Sequence, residues 1–153
     1  WTGDIQVFVR TAAFNMDVAG FMTKWANDVT DSQSDAGAVP AVVPGVISLT
    51  DGGPAWADAA VICPWTIYLC YGDKSILENN YATMTKFMDF MVNESIDLIR
   101  CRPNYKGWMG FGDWLSINAE TPRDLIGTAF FAYDADLMSQ IAGILGKRND
   151  ASK

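Results

Sequence analysis

Gly52-Gly53-Pro54-Ala55-Trp56-Ala57-Asp58-Ala59-Ala60-Val61-Ile62-Cys63-Pro64-Trp65-Thr66-Ile67-Tyr68-Leu69-Cys70-Tyr71-Gly72 carries the pattern that decides the fold. The paired glycines belong to the loop that precedes Pro54. Pro54 suits the first turn of a helix, where a missing N–H costs nothing. Trp56, Ala59, Ala60, Cys63 and Ile67 then recur at helical steps, and Gly72 supplies a left-handed stop. A helix is therefore predicted from Pro54 to Gly72, kinked or divided at Pro64, whose ring opposes the preceding turn.

The same reading extends outward in both directions. Upstream, Ile5, Phe8, Val9, Ala12 and Ala13 give a short helix from Asp4. Asp17 caps a second, with Val18, Phe21, Met22, Trp25 and Val29 as its buried stripe. Residues 37–54 hold three prolines and four glycines without sustained alternation, and read as a long ordered loop. Downstream, Ser75 and Glu78 have capping-box spacing. They open a helix with Leu77, Tyr81, Met84, Phe87, Met88 and Met91 in the core, running to about Ile99. Residues 102–120 mix Pro103, Gly107, Gly110 and Gly112 with Tyr105, Trp108, Phe111 and Trp114, a second aromatic loop. Thr121-Pro122-Arg123-Asp124 then starts a last helix, with Leu125, Ala129, Tyr133, Leu137, Ile141 and Leu145 inward and Gly146 as its end. The order is helix, helix, loop, helix, helix, loop, helix, with no strand pair. That is an all-α array of hairpins whose long loops gather at one end.

Composition limits the chemistry. With 153 residues, half of them apolar, the chain can bury one sizeable core, so residues 1–153 are read as a single unit. A net charge of -7 without a basic cluster gives no footprint for nucleic acid or an anionic membrane. No apolar run approaches the ~20 residues that span a bilayer. Neither end carries a targeting signal, and the compartment stays open. The chain has no histidine, which excludes Ser-His-Asp, Cys-His and histidine-metal sites within it. Cys63, Cys70 and Cys101 are odd in number and lack CxxC spacing, so they read as core thiols; no metal or cofactor is expected. Carboxylates remain for catalysis, and six tryptophans with five tyrosines remain for binding.

Three clusters place tryptophan beside aspartate at loop–helix junctions: Trp1-Thr2-Gly3-Asp4, Gly52 to Asp58, and Gly110-Phe111-Gly112-Asp113-Trp114-Leu115. An indole stacks on the apolar face of a pyranose while carboxylates accept hydrogen bonds from its hydroxyls. The plainer reading stands beside this one. Trp25 and Trp65 lie on apolar helical stripes and belong to the core. Capping or dipole compensation explains Asp4 and Asp58 as well as sugar contact does. Asp113 has the least structural explanation of the three.

The ordered set of motifs goes further than any one of them. Trp1-Thr2-Gly3-Asp4 with Gln6-Val7-Phe8 and Thr11-Ala12-Ala13-Phe14-Asn15, Gly37-Ala38-Val39-Pro40, Gly53-Pro54-Ala55-Trp56-Ala57-Asp58, Pro64-Trp65, Tyr71-Gly72-Asp73, Gly112-Asp113-Trp114 and Thr121 through Ala129 together resemble the catalytic domain of bacterial-type α-L-rhamnosidases. The resemblance runs across nearly the whole chain. It implies a six-hairpin (α/α) barrel, of which these residues make about the first half of the helices. It also implies inverting hydrolysis of terminal non-reducing α-L-rhamnosides, which needs an acid and a base about 6.5–9.5 Å apart. In the family the acid is a glutamate a few residues before the Trp-Thr-Gly-Asp motif, and the base comes from the later half of the barrel. Glu78, Glu94 and Glu120 match neither, so no catalytic residue is assigned within the chain.

What carries over is the sugar subsite: Trp1, Asp4, Trp56, and Asp113 with Trp114, although Trp108 is near enough to exchange with Trp114. The expected partners are a rhamnoside and the rest of the same polypeptide. An opening on Trp1 and a close on Arg148 to Lys153 fit a fragment of a longer chain, inactive by itself, whose uncovered barrel faces promote self-association. Two other readings remain open. One is a different (α/α)-barrel glycosidase; a substrate bearing a carboxylate would require a cationic clamp, for which the loops offer only Arg102, Lys106 and Arg123. The other is a helical carbohydrate-binding or scaffold module without catalysis.

Overall fold

A computed structural model describes residues 1–152; Lys153, the last residue of the terminal segment discussed above, lies outside them. The chain forms α1 (Thr2–Asn15), α2 (Ala19–Ser32), α3 (Ala59–Tyr71), α4 (Ser75–Asn93), β1 (Ser95–Ile96), β2 (Ile99–Arg100), α5 (Arg123–Ile144) and α6 (Arg148–Ala151). Alternate helices pack on one another. α1, α3 and α5 make one layer and α2 and α4 a second, with α3 touching α1, α2, α4 and α5. This layering of every second helix is a partial (α/α) toroid, and the all-α expectation holds apart from one small hairpin. Among the described residues, no helix is long and apolar enough to cross a membrane.

The central position of α3 follows from its composition. Ala59 through Pro64 are all buried, as is Ile67, so the helix is apolar on every side and needs neighbours all round. It begins at Ala59 rather than Pro54; residues 54–58 form turns that lead into it. Pro64 does not divide it, and Ala59–Tyr71 is continuous. Gly72 ends it with φ 73°, its N–H donating to Tyr68 O at 2.8 Å. The core includes Val9, Met22, Trp25, Val29, Val39, Leu77, Met84, Phe87, Met91, Leu137 and Ile141.

Several local expectations are corrected by partners that spacing does not reveal. The N-cap of α4 is Lys74, and Asp73 just before it accepts the Ser75 N–H at 2.9 Å and the Ser75 hydroxyl at 2.8 Å, while Glu78 pairs with Lys74 at 3.2 Å. Ser75 is thus the first helical residue, not the cap. The two hydrogen bonds from Ser75 hold the Asp73 carboxyl below its ordinary range. α4 stops at Asn93, and the chain then turns through Asp97 and Leu98, both at positive φ, to pair Ser95 with Arg100 and Ile96 with Ile99. This strand pair was not expected, because strands of two residues and a turn without Asn-Gly give almost no sequence signal.

α5 buries Gly127, Phe131, Asp134, Leu137 and Ile141, leaving Leu125 and Tyr133 exposed. Phe8 and Phe21, also expected in the core, are 50% and 65% exposed. These side chains lie on faces that the described chain does not cover. Cys63 and Cys101 are buried, whereas Cys70 is exposed, against the expectation that all three were core thiols.

Candidate functional site

The long loops meet over the N-terminal end of α1. Thr2 is buried and donates both its N–H and its hydroxyl to Ala41 O, at 2.9 and 3.1 Å, which fastens α1 to the loop of residues 37–54. Gly3 is the next residue, and a Cβ there would stand 2.6 Å from the Trp56 indole. The absent side chain lets Trp56 lie directly on the first turn of α1. The two glycine loops interlock as closely. A Cβ on Gly53 would fall 2.4 Å from Gly110 Cα, and one on Gly110 would fall 2.9 Å from Pro54 Cδ, with both glycines at positive φ. Arg123 closes this junction by donating to Gly110 O.

The aromatic side chains converge as a consequence. Phe111 is the hub: its ring centroid lies 4.7 Å from Trp56, 5.7 Å from Trp114, 6.2 Å from Trp1 and 5.3 Å from Trp108. Trp56 and Trp114 meet edge to face at 6.1 Å. Such geometries favour positive ring edges against negative ring faces. Trp1, Asp4, Trp56, Phe111 and Trp114 enclose a cavity of about 260 Å³. A larger adjoining hollow of about 530 Å³ includes Asp4, Trp56, Asp113 and Trp114 in its walls.

All five candidate residues thus stand around one connected depression. Trp114, not Trp108, shares the smaller cavity with Trp1, Asp4 and Trp56, and Trp108 borders a separate hollow with Gly107, Met109, Gly110 and Arg123. Asp4 is exposed in the first turn of α1, and its carboxylate has no hydrogen-bond partner among the described residues. Asp113 does have a structural tie, since its Oδ2 accepts the Thr121 hydroxyl at 2.7 Å and links the aromatic loop to the start of α5. Phe111 was missed as a site residue; its place between Gly110 and Gly112, in a loop already rich in tryptophan, was the available signal.

Asp58, from the same motif as Trp56, is not in the depression. It is fully buried beneath it, as is Asp134. Burial pushes both carboxyls upward, Asp134 well above the usual range, with the nearby Asp58 charge adding to the effect. Asp51 is raised as well, mainly by burial, while the Gly53 N–H that it accepts at 2.8 Å opposes the shift. None of these carboxylates lines the aromatic cavity.

Comparison with known proteins gives a consistent set of relatives. The family model described as the bacterial alpha-L-rhamnosidase 6 hairpin glycosidase domain matches residues 1–153. An α-L-rhamnosidase of Streptomyces avermitilis is 42% identical over 147 residues, covering 96% of this chain and 14% of the relative. One from Formosa agariphila is 39% identical over 151 residues, covering 98% and 16%. Among solved structures, the Streptomyces avermitilis α-L-rhamnosidase complexed with L-rhamnose superposes with a TM-score of 0.88 at 41% identity, covering 95% of this chain and 14% of that one. An α-L-rhamnosidase from Dictyoglumus thermophilum gives 0.89 at 35%, covering 99% and 17%. The chain therefore spans about a sixth of the length of these relatives or somewhat less.

Proposed function

Since this chain belongs to the bacterial α-L-rhamnosidase six-hairpin glycosidase family, we propose that residues 1–153 are one unit of that (α/α) barrel and supply the wall that recognises rhamnose. The observation that supports this reading is the convergence of Trp1, Asp4, Trp56 and Trp114 on Phe111 around one cavity, from three separate segments of chain. Trp56 and Trp114 stand nearly perpendicular, at 84°, so a sugar can lie on one ring while its edge meets the other. The apolar wall suits the C6 methyl of rhamnose, where most hexoses carry a hydroxyl. Asp4, without an internal partner, is free to accept hydrogen bonds from ring hydroxyls, and charge-assisted bonds of this kind are the stronger ones.

The whole enzyme in this reading is an inverting hydrolase of terminal α-L-rhamnosides. Inversion requires one carboxylic acid at the leaving oxygen and one carboxylate at water on the opposite face. The carboxylates at the depression, Asp4 and Asp113, are assigned to binding and to holding the loop. Both proton-transfer groups are assigned outside residues 1–153. The isolated chain accordingly binds rhamnose without cleaving rhamnosides. In an assay with an aryl α-L-rhamnoside, release of the aryl alcohol stays at the buffer rate; turnover within tenfold of a full-length relative would place the catalytic pair inside this chain and overturn the assignment.

A further inference from the structure

Three segments meet in the interior beneath the Trp56 turn: Asp58 at the end of that turn, Asp134 midway along α5, and Arg100 on β2. All three are buried, at 0%, 0% and 3% exposure. Asp58 Oδ2 accepts the N–H of Ala55 at 2.6 Å. Ala55 has φ 69°, a left-handed conformation that a residue with a Cβ adopts only when its surroundings hold it there. That hydrogen bond therefore restrains the turn that presents Trp56.

The remaining atoms of the cluster pose a donor problem. Asp58 Oδ1 and both oxygens of Asp134 are buried with no N–H or hydroxyl donor, Arg100 Nη1 is likewise buried and reaches no acceptor, and the two carboxyls stand close enough to act on each other. Two ionised carboxylates would face one another as acceptors only, an arrangement that like charges in a fully buried site do not sustain. Arg100 makes no ion pair with either within 4 Å among the described residues, but its charge acts on both, and its backbone N–H ties β2 to the Thr128 hydroxyl of α5 at 3.2 Å. One proton between the carboxyls supplies the missing donor and leaves one negative charge against one positive charge. The other charged groups nearby are Asp51, which faces Asp58, and Glu94, which acts on Asp51.

We propose that Asp58 and Asp134 share a single proton at neutral pH, carried by Asp134 and donated to Asp58, and that this pair is the positioning element that holds Ala55 and hence Trp56 in the sugar depression. Its consequence for binding rests on the rhamnose reading above; the proton itself does not. Burial, then the adjacent Asp58 charge, raises Asp134 well above the ordinary carboxylate range, in the same direction. The pH dependence follows from that sign. A carboxyl raised on folding stabilises fully below its unfolded value of 3.8, and this contribution declines as pH rises toward the folded value. Within that window the unfolding constant grows up to tenfold per pH unit through this group.

The test compares the native chain with Asp134→Asn and Asp134→Ala. Asn places an amide donor where the acid O–H stands, so Asp134→Asn keeps the native near-ultraviolet circular dichroism of the aromatic cluster and L-rhamnose affinity within about twofold. It also loses one protonated-carboxyl infrared band at pH 7 and flattens the decline in stability above pH 3.8. Asp134→Ala has no donor, loses the aromatic signal and weakens L-rhamnose binding at least tenfold. A native chain without a protonated-carboxyl band at pH 7, or an Asn variant as damaged as the Ala variant, overturns the proposal. If Asp134→Ala does not fold, the infrared band and the Asn variant decide alone. Absence of L-rhamnose binding by the native chain would instead overturn the sugar-site reading, with the infrared band, pH profile and dichroism still deciding the pair.

Discussion

A chain carrying Trp56→Ala binds L-rhamnose about 10- to 100-fold more weakly than the native chain while remaining folded. Trp56 touches the first turn of α1 through Gly3, the hub ring of Phe111 and the edge of Trp114, so it joins all three walls of the depression. Truncating it removes the proposed sugar platform and the surface on which Phe111 and Trp114 rest. Loss of about 60–100 Å² of apolar contact with the sugar costs roughly 1.5–3 kcal/mol, the corresponding change in binding free energy. The core clusters of α2, α3 and α4 lie elsewhere, so the far-ultraviolet dichroism stays helical. Calorimetric titration with L-rhamnose measures the loss; an affinity within twofold of native would remove Trp56 from the site.

Gly53→Ala has the larger effect on the fold. The new methyl group would meet Gly110 Cα at 2.4 Å and Gly110 N at 2.8 Å, both backbone atoms that no rotamer change can move aside. The left-handed φ of 67° adds a penalty for any residue with a Cβ. Left-handed backbone costs roughly 1–2 kcal/mol and overpacking about 1–3 kcal/mol, for a sum of about 2–5 kcal/mol. Urea unfolding of the two chains measures it. The same substitution separates the loop of Trp56 from the loop of Phe111 and so weakens sugar binding as well. A stability change below ~0.5 kcal/mol would show that the two loops do not interlock.

The sequence made some features of the fold legible for definite reasons. Gly72 and Gly146 both stand at positive φ after helices. Around Gly146 the chain forms the paired terminal bonds expected of a glycine stop, Gly146 N–H to Gly143 O and Lys147 N–H to Ala142 O. These signals are local, so spacing alone reveals them. The faces of α1, α2 and α5 were less legible. Phe8, Phe21, Leu125 and Tyr133 have the periodicity of buried residues, but periodicity marks an apolar face without telling what covers it. The relatives are more than five times as long as this chain, and we read these faces as those that the rest of such a barrel would cover. They are the surfaces through which the isolated chain would self-associate.

The candidate site was legible as a set of residues but not as a depth. Trp1, Asp4, Trp56, Asp113 and Trp114 were singled out by motif and resemblance, and the folded chain brings all of them to one depression. Phe111 escaped because a phenylalanine between glycines is as ordinary in a packed loop as in a binding site. Asp58 was equally visible in its motif, yet nothing in Gly53 to Asp58 tells that its carboxylate turns inward. Asp134 gave less signal still. An aspartate on a helix is usually solvated, and only the packing of α5 against β2 and the Trp56 turn makes this one interior.

Titration of the native chain with L-rhamnose, followed by tryptophan fluorescence, reads the proposed recognition of rhamnose by these residues directly. A saturable one-site change is expected, at least tenfold weaker with L-mannose, whose C6 hydroxyl meets the apolar wall. No saturable change, or equal affinity for the two sugars, would contradict it.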